Sequence, residues 1–322
     1  MPQTIFIAVK SLFKAFVLCG VLIASVDQTW AKFPAPRLVR LTDGRCLEYA
    51  DYGDPSGRLV LYFHGSPGSH LDVQAAASDI HASGLHVVAI NRPGIGRSSF
   101  QCGRKITDWP KDVSECLELI GRKNEPFGII GFSGGAPYAL ACARMMPNRI
   151  TRVAIVSGHT SLGIRGVVPG ECDRTIELFL RRPRFAEKAV ELTRHRLQRK
   201  PDKTVKRIVK KWDPNDRRLV TCSPLIRGLL EGSMLHSTRC GGQGVVTDVQ
   251  LLGRCWGFDV ADVVGPPISI WHGRCDRIAP ISMGRYFHSQ LVGSALHVDP
   301  AAGHLSMFKW HSPEIHREFC TD

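Results

Sequence analysis

The amino-acid sequence predicts an α/β fold, a mostly parallel β-sheet covered by helices, and three observations carry that prediction. Short apolar runs of strand length alternate along the chain with stretches of helical apolar spacing, as at Val113, Cys116, Leu117 and Ile120. Several of the runs, Leu59–Phe63 among them, are continuously apolar, as a strand buried on both faces requires. The third observation is a glycine-rich turn, Gly131-Phe132-Ser133-Gly134-Gly135, set between the apolar run Phe127–Ile130 and the helix-like stretch Ala136–Met146.

Taken in order, Arg37–Thr42 and Arg45–Tyr52 alternate around Asp43-Gly44, which reads as a β-hairpin. Leu59–Phe63 ends in His64-Gly65-Ser66-Pro67-Gly68, and Val87–Ile90 runs into Asn91-Arg92-Pro93-Gly94-Ile95-Gly96-Arg97-Ser98. Asp108 reads as the cap of the helix that carries Val113 and Leu117. Further strands are expected at Val153–Val156, Ile268–Trp271 and Leu296–Val298. Between His159 and Cys255 the strand rhythm is lost, and Val205, Ile208, Val209 and Trp212 follow helical spacing. The organisation expected is therefore a core of residues 37–158 and 256–322, with residues 159–255 as a helical insertion over the carboxyl edge of the sheet.

With 322 residues, 43% of them hydrophobic, the chain can bury a sizeable core, which excludes long disorder. The formal charge of +13 is concentrated, since residues 181–218 hold 15 Lys/Arg against 5 Asp/Glu. Two readings of that segment stay open: solvated outer faces of amphipathic helices, or attraction to an anionic lipid surface or acidic substrate. No recognition motif accompanies the charge, so nucleic acid is not an expected partner.

At the start of the chain Lys10 and Lys14 precede the 12-residue apolar run Ala15–Val26, followed by Thr29-Trp30-Ala31. Residues 1–31 read as a secretory signal, with cleavage after Ala31 and an extracytoplasmic or secreted product; an uncleaved membrane anchor is the alternative. Of eleven cysteines, ten remain beyond such a leader, an even number that permits disulfides in an oxidising compartment. No Cys-x-x-Cys occurs, and Cys116 and Cys142 fall at apolar helix positions as buried thiols.

The glycine-rich turn carries the chemistry. A Gly-x-Ser-x-Gly between strand and helix forces a sharp, strained turn that projects the serine hydroxyl at the end of a sheet, making Ser133 the candidate nucleophile. A serine hydroxyl needs a base within hydrogen-bond reach and a third group to orient that base. Of thirteen histidines, His304 stands out because Ala301-Ala302-Gly303-His304 follows the last expected strand; His64 reads as a loop support and His272 as a strand end. The orienting acid expected is Asp276, after the strand Ile268–Trp271, whereas the preceding strand ends in Ser157-Gly158-His159 without a carboxylate. Asp259 and Asp262 precede their strand and read as structural. Acyl transfer also places charge on a former carbonyl oxygen, which the backbone N–H groups of Gly134, directly after the nucleophile, and of Ser66, in the loop after the preceding strand, are expected to meet.

Together these blocks, HGSPGS at 64–69, NRPGIGRSS at 91–99, GFSGGAPYALA at 131–141, WHGRCDRIAP at 271–280 and GHLSMF at 303–308, resemble the α/β-hydrolase superfamily over about residues 37–320. They are most similar to its broad fold-1 group of serine hydrolases. The resemblance implies an eight-stranded sheet with a helical cap, the catalytic set Ser133, Asp276 and His304 in that chain order, and the oxyanion donors Ser66 and Gly134. Two departures stand out: Asn91 replaces an aspartate common in the family, and the basic cap and apolar leader are not general family features.

The function expected is carboxylic-ester hydrolysis through an acyl-enzyme, on a small-molecule ester or acyl substrate, with no metal and no organic cofactor. Peripheral membrane contact through the basic segment or the leader is a further expectation. One alternative is an aminopeptidase of the proline-iminopeptidase kind, although such enzymes carry His-Gly-Gly-Pro-Gly and acidic cap residues. The other is a ligand receptor on the same fold that turns over slowly.

Overall fold

A computed structural model describes residues 34–321, and the expected leader lies outside them. The described chain forms one eight-stranded sheet from β1 (Arg37–Arg40), β2 (Cys46–Gly53), β3 (Leu59–Phe63), β4 (His86–Ile90), β5 (Phe127–Phe132), β6 (Ile150–Val156), β7 (Ile268–Gly273) and β8 (Ala295–Asp299). Its spatial order is β1-β2-β4-β3-β5-β6-β7-β8. β1 and β2 make the expected hairpin, with Arg40 opposite Cys46, and β2 runs antiparallel to β4. All other neighbours are parallel.

The sequence explains the burial. β3, β4 and β5 are buried at every residue, as continuous apolar strands covered on both faces must be. Along β3, Leu59, Leu61 and Phe63 join one apolar layer with Trp109, Val113 and Leu140, while Val60 and Tyr62 join the other with Phe308 and Ile315. That is the two-residue alternation of a pleated strand. The helix Ala136–Met145 is buried from Ala136 through Ala143, where repeated alanines let it lie close to the sheet.

Two sequence expectations about side chains meet different outcomes. Cys116 and Cys142 are buried thiols as expected, and all ten cysteines among the described residues are free. Asp108 does not cap the helix Trp109–Leu119. Its backbone is already helical, and its carboxylate turns back to accept the Lys105 N–H at 2.8 Å in the preceding turn.

Between β6 and β7 the chain forms the helices Asp173–Arg181, Pro183–Arg199, Pro201–Ile208, Pro214–Cys222, Pro224–Ser237 and Gln243–Gly253. Four of them start on a proline, whose missing N–H is harmless there and whose fixed φ suits the first helical residue. In Pro183–Arg199 only Ala186 and Leu197 are buried, so its arginines and lysines lie on the outer face. Among the described residues no helix is long and apolar enough to cross a membrane.

Candidate active site

The turn after β5 is built by close contact. Ser133 has φ of 51°, a left-handed conformation that a non-glycine residue holds only under constraint from its surroundings. The constraint comes from both sides of the motif. A Cβ on Gly135 would stand 2.1 Å from the carbonyl oxygen of Phe63, and one on Gly131 would stand 2.9 Å from the Ala139 Cβ. Strand, turn and helix therefore approach as closely as the two missing side chains allow, leaving the Ser133 hydroxyl at the carboxyl end of β5.

The structure brings the three sequence-expected residues into one hydrogen-bonded chain. Ser133 Oγ lies 2.9 Å from His304 Nε2, and His304 Nδ1 lies 2.7 Å from Asp276 Oδ2. The other Asp276 oxygen accepts the backbone N–H groups of Ile278 and Ala279, at 2.8 and 2.9 Å. A carboxylate fixed in this way accepts a hydrogen bond from Nδ1–H, which keeps the proton on Nδ1 and leaves Nε2 with a lone pair facing the serine. All three side chains are buried, with Ser133 and His304 on the wall of a cavity of about 280 Å³.

Gly134 and Ser66 are adjacent, since a Cβ on Gly134 would stand 2.8 Å from Ser66 Oγ. That hydroxyl is already engaged, donating to Asp248 and accepting from Arg92 Nη2 at 2.9 Å. What these two residues can offer a reacting carbonyl is their backbone N–H. His64, expected to support the loop, does so. Its Nδ1 donates to Gly65 O at 2.8 Å and its Nε2 accepts the Arg92 N–H at 3.3 Å, while burial holds the imidazole well below its usual range and so neutral.

Four further residues that sequence reasoning did not identify hold this arrangement. Arg92 donates to the carbonyls of His64 and Gly65 and to both oxygens of Asp248. Asp248 also receives Arg104 Nη2 at 2.7 Å and the Tyr138 hydroxyl at 2.9 Å. Burial alone would push its carboxyl up, but the two guanidinium groups hold it well below the usual carboxylate range. Asp216 accepts the His304 N–H at 2.6 Å and both the N–H and hydroxyl of Ser306, at 2.8 and 2.7 Å. Ser157, with φ of 49°, donates its hydroxyl to the His304 carbonyl at 2.9 Å.

The cavity is walled largely by apolar side chains of the insertion, including Trp212, Ile226, Leu229, Met234 and Leu252. Its charged or titratable members outside the hydrogen-bonded chain are Tyr62, Asp72, His159 and Cys172. Burial raises the Asp72 carboxyl to about 6, against a hydrogen bond from Ser233 at 2.5 Å and one from the Gly65 N–H at 3.3 Å. For His159 burial acts in the opposite sense, yet Cys172 and Asp173 outweigh it and raise the imidazole to about 10.

Among the described residues, two groups bring three metal-ligating atoms together: Glu48, His70 and His236, and His159, Cys172 and Asp173. The first is occupied, because the Glu48 carboxylate already accepts from Asn91, His236 and both the backbone and side chain of Arg97.

The sheet order, the strained serine turn and the sequence blocks agree with one family, and the chain belongs to the alpha/beta hydrolase fold family, which it matches over residues 58–309. It is similar to epoxide hydrolase B of Mycobacterium tuberculosis, 32% identical over 125 residues that cover 37% of this chain and 35% of that protein. A non-heme chloroperoxidase of Streptomyces lividans is 32% identical over 124 residues, 37% of this chain and 43% of its own length. The chain thus aligns with well under half of either relative. In three dimensions it matches the enol-lactonase of Burkholderia xenovorans with a TM-score of 0.68 at 14% identity, covering 89% of this chain and 100% of that one.

Proposed function

We propose that the protein is a serine hydrolase that cleaves carboxylic esters through an acyl-enzyme. The observation that supports this reading is the chain from Ser133 Oγ through His304 to Asp276, opening onto an apolar cavity. In the proposed cycle His304 Nε2 takes the Ser133 proton as Oγ attacks the ester carbonyl, and the backbone N–H groups of Ser66 and Gly134 stabilise the oxyanion. His304 then protonates the leaving alcohol, and a water deprotonated by the same imidazole releases the acid. Asp276 stabilises the imidazolium at each stage. An epoxide-opening route through an alkyl-enzyme requires a carboxylate nucleophile, and residue 133 is serine.

A second reading, an aminopeptidase of the proline-iminopeptidase kind, is favoured by one observation. Asp72 is an acidic group on the cavity wall that could meet a substrate amine, and with its carboxyl raised to about 6 that attraction is lost only on acidification below that range.

The experiment is hydrolysis of p-nitrophenyl esters across acyl lengths, beside aminoacyl p-nitroanilides, by the wild type and Ser133→Ala. Steady ester turnover lost in the variant is the expected result. Ester turnover that persists in a folded Ser133→Ala would sink the assignment of the nucleophile. Preferential turnover of the aminoacyl anilides would replace the esterase reading by the second one.

A further inference from the structure

His159, Cys172 and Asp173 have no part in the proposed ester chemistry, yet two of them line the same cavity as Ser133. We propose that these three side chains bind a zinc ion and that its binding inhibits turnover at Ser133. Only the inhibition rests on the esterase reading; the site itself does not.

Three features carry the proposal. His159 Nε2 lies 3.1 Å from Cys172 Sγ and 3.0 Å from Asp173 Oδ1, with the sulfur and that oxygen 3.7 Å apart. Around zinc, with bonds of about 2.0–2.3 Å, the edges of a tetrahedron measure about 3.3–3.7 Å, so the three atoms match one face within a few tenths of an ångström. His159 Nδ1 lies 2.6 Å from the Thr160 carbonyl oxygen. A carbonyl only accepts, so Nδ1 carries a proton and Nε2 faces the cluster, the orientation a zinc-bound histidine takes from a backbone carbonyl behind it. The donor set of one thiolate, one imidazole and one carboxylate selects zinc over calcium or magnesium, which prefer oxygen ligands alone.

Location gives the ion its effect. Three protein ligands leave a fourth position, and the cavity-lining His159 and Cys172 place it beside the substrate space. The His159 N–H donates to the Ser133 carbonyl at 3.2 Å. Cys172 Sγ donates to the Ile278 carbonyl at 3.1 Å, and the Ile278 N–H in turn holds Asp276. On binding, zinc replaces the thiol proton of Cys172 and any proton on Nε2. Both pass to solvent, and no electrons are transferred.

The test is titration of the metal-free protein with Co²⁺, followed by displacement with Zn²⁺. The expected result is one equivalent of cobalt with thiolate-to-metal absorption in the wild type and in Ser133→Ala. That absorption should be lost in Cys172→Ser, with affinity at least about 10-fold weaker in Asp173→Asn. Absorption of equal intensity in Cys172→Ser would overturn the site. A second measurement needs no variant: bound Zn²⁺ should shield Cys172 from iodoacetamide, read by peptide mass, and equal labelling with and without zinc would overturn it equally. Inhibition of ester hydrolysis by Zn²⁺, reversed by a chelator, is the expected functional result. Zinc bound at Cys172 with unchanged turnover would overturn the inhibitory role, whereas absence of any ester turnover would count against the esterase reading and leave the cobalt result to decide the site.

Discussion

Asp216 Oδ2 accepts the backbone N–H of His304 at 2.6 Å, so a helix of the insertion holds the first turn of the helix that carries the imidazole. The same carboxylate receives Ser306 twice, and a Cβ on the preceding Gly303 would come within 2.4 Å of it. The insertion is thereby part of the frame of the site as well as its cover.

Replacing Asp216 by alanine leaves the N–H groups of His304 and Ser306 without their buried acceptor. Each orphaned group costs about 1–3 kcal/mol. A displacement of the imidazole on the ångström scale reduces kcat on the order of 10²-fold. The expected outcome is a large fall in kcat with a smaller change in KM, measured with the preferred ester, and a lower urea midpoint. Full kcat in a folded Asp216→Ala would show that Ser157 and the Asp276 contact suffice to place the ring.

Asp248 is the second tie between the insertion and the core. Removing it leaves Arg92 and Arg104 buried without their shared counter-charge, a situation that typically costs about 3–5 kcal/mol. Arg92 also fixes the carbonyls of His64 and Gly65, so the Ser66 peptide should shift, and under the proposed mechanism, in which its N–H is an oxyanion donor, kcat should fall by about 10²–10³-fold. Asp248→Asn, which keeps one acceptor oxygen, should recover part of the stability. The check is paired urea denaturation and kcat for the alanine and asparagine variants; equal values for the two would show that the lost charge, and not the acceptor oxygen, sets the effect.

The positions of Asp216 and Asp248 also show where reading the sequence stopped. Periodicity located the eight strands and the serine turn because those signals are local: two-residue alternation, continuous apolar runs, and glycines at a strand-helix junction. His304 and Asp276 were legible because each follows a strand whose carboxyl end is fixed by the sheet. Asp216 and Asp248 lie on helices of the insertion, 88 and 156 residues from the backbone or guanidinium groups they hold, and nothing local marks an aspartate as buried. For Asp248 the one partial signal was its place among Val245, Val246, Val249, Leu251 and Leu252, where a charge needs a partner. Asp108 failed in the opposite way, its composition suggesting a helix cap while its backbone was already inside the turn.

Asn91 is explained by its neighbour. Its Nδ2 donates to Glu48 Oε2 at 2.8 Å and its Oδ1 accepts the His70 N–H at 2.6 Å, with both side chains buried. An aspartate here would set two carboxylates against each other, and one would have to take up a proton. Asn91→Asp should therefore lose roughly 3 kcal/mol at neutral pH, the equivalent of about two pKa units, and recover part of it on acidification. Urea unfolding at two pH values checks this, and the double variant Asn91→Asp with Glu48→Gln should restore most of the loss. No restoration would mean that the amide is needed for a reason other than charge.

Asp72 makes the pH dependence of stability calculable in sign. Its carboxyl, 3.8 when solvated, is raised to about 6 by burial despite the hydrogen bond from Ser233. A raised carboxylate pKa means that the folded state binds more protons than the unfolded state between about pH 4 and pH 6. Stability from this group therefore falls as pH rises through that window, and the penalty is complete above about pH 6. Its size is at most roughly 3 kcal/mol, since each unit is worth about 1.4 kcal/mol. Asp72→Asn has no proton to lose there, so its stability relative to wild type should increase from pH 4 to pH 7. Any mismatch in how the amide meets Ser233 or the Gly65 N–H adds an offset that does not change with pH, so the slope is the readout. Urea midpoints for both proteins across that range measure it, and a difference that stays flat would show that Asp72 titrates near its solvated value.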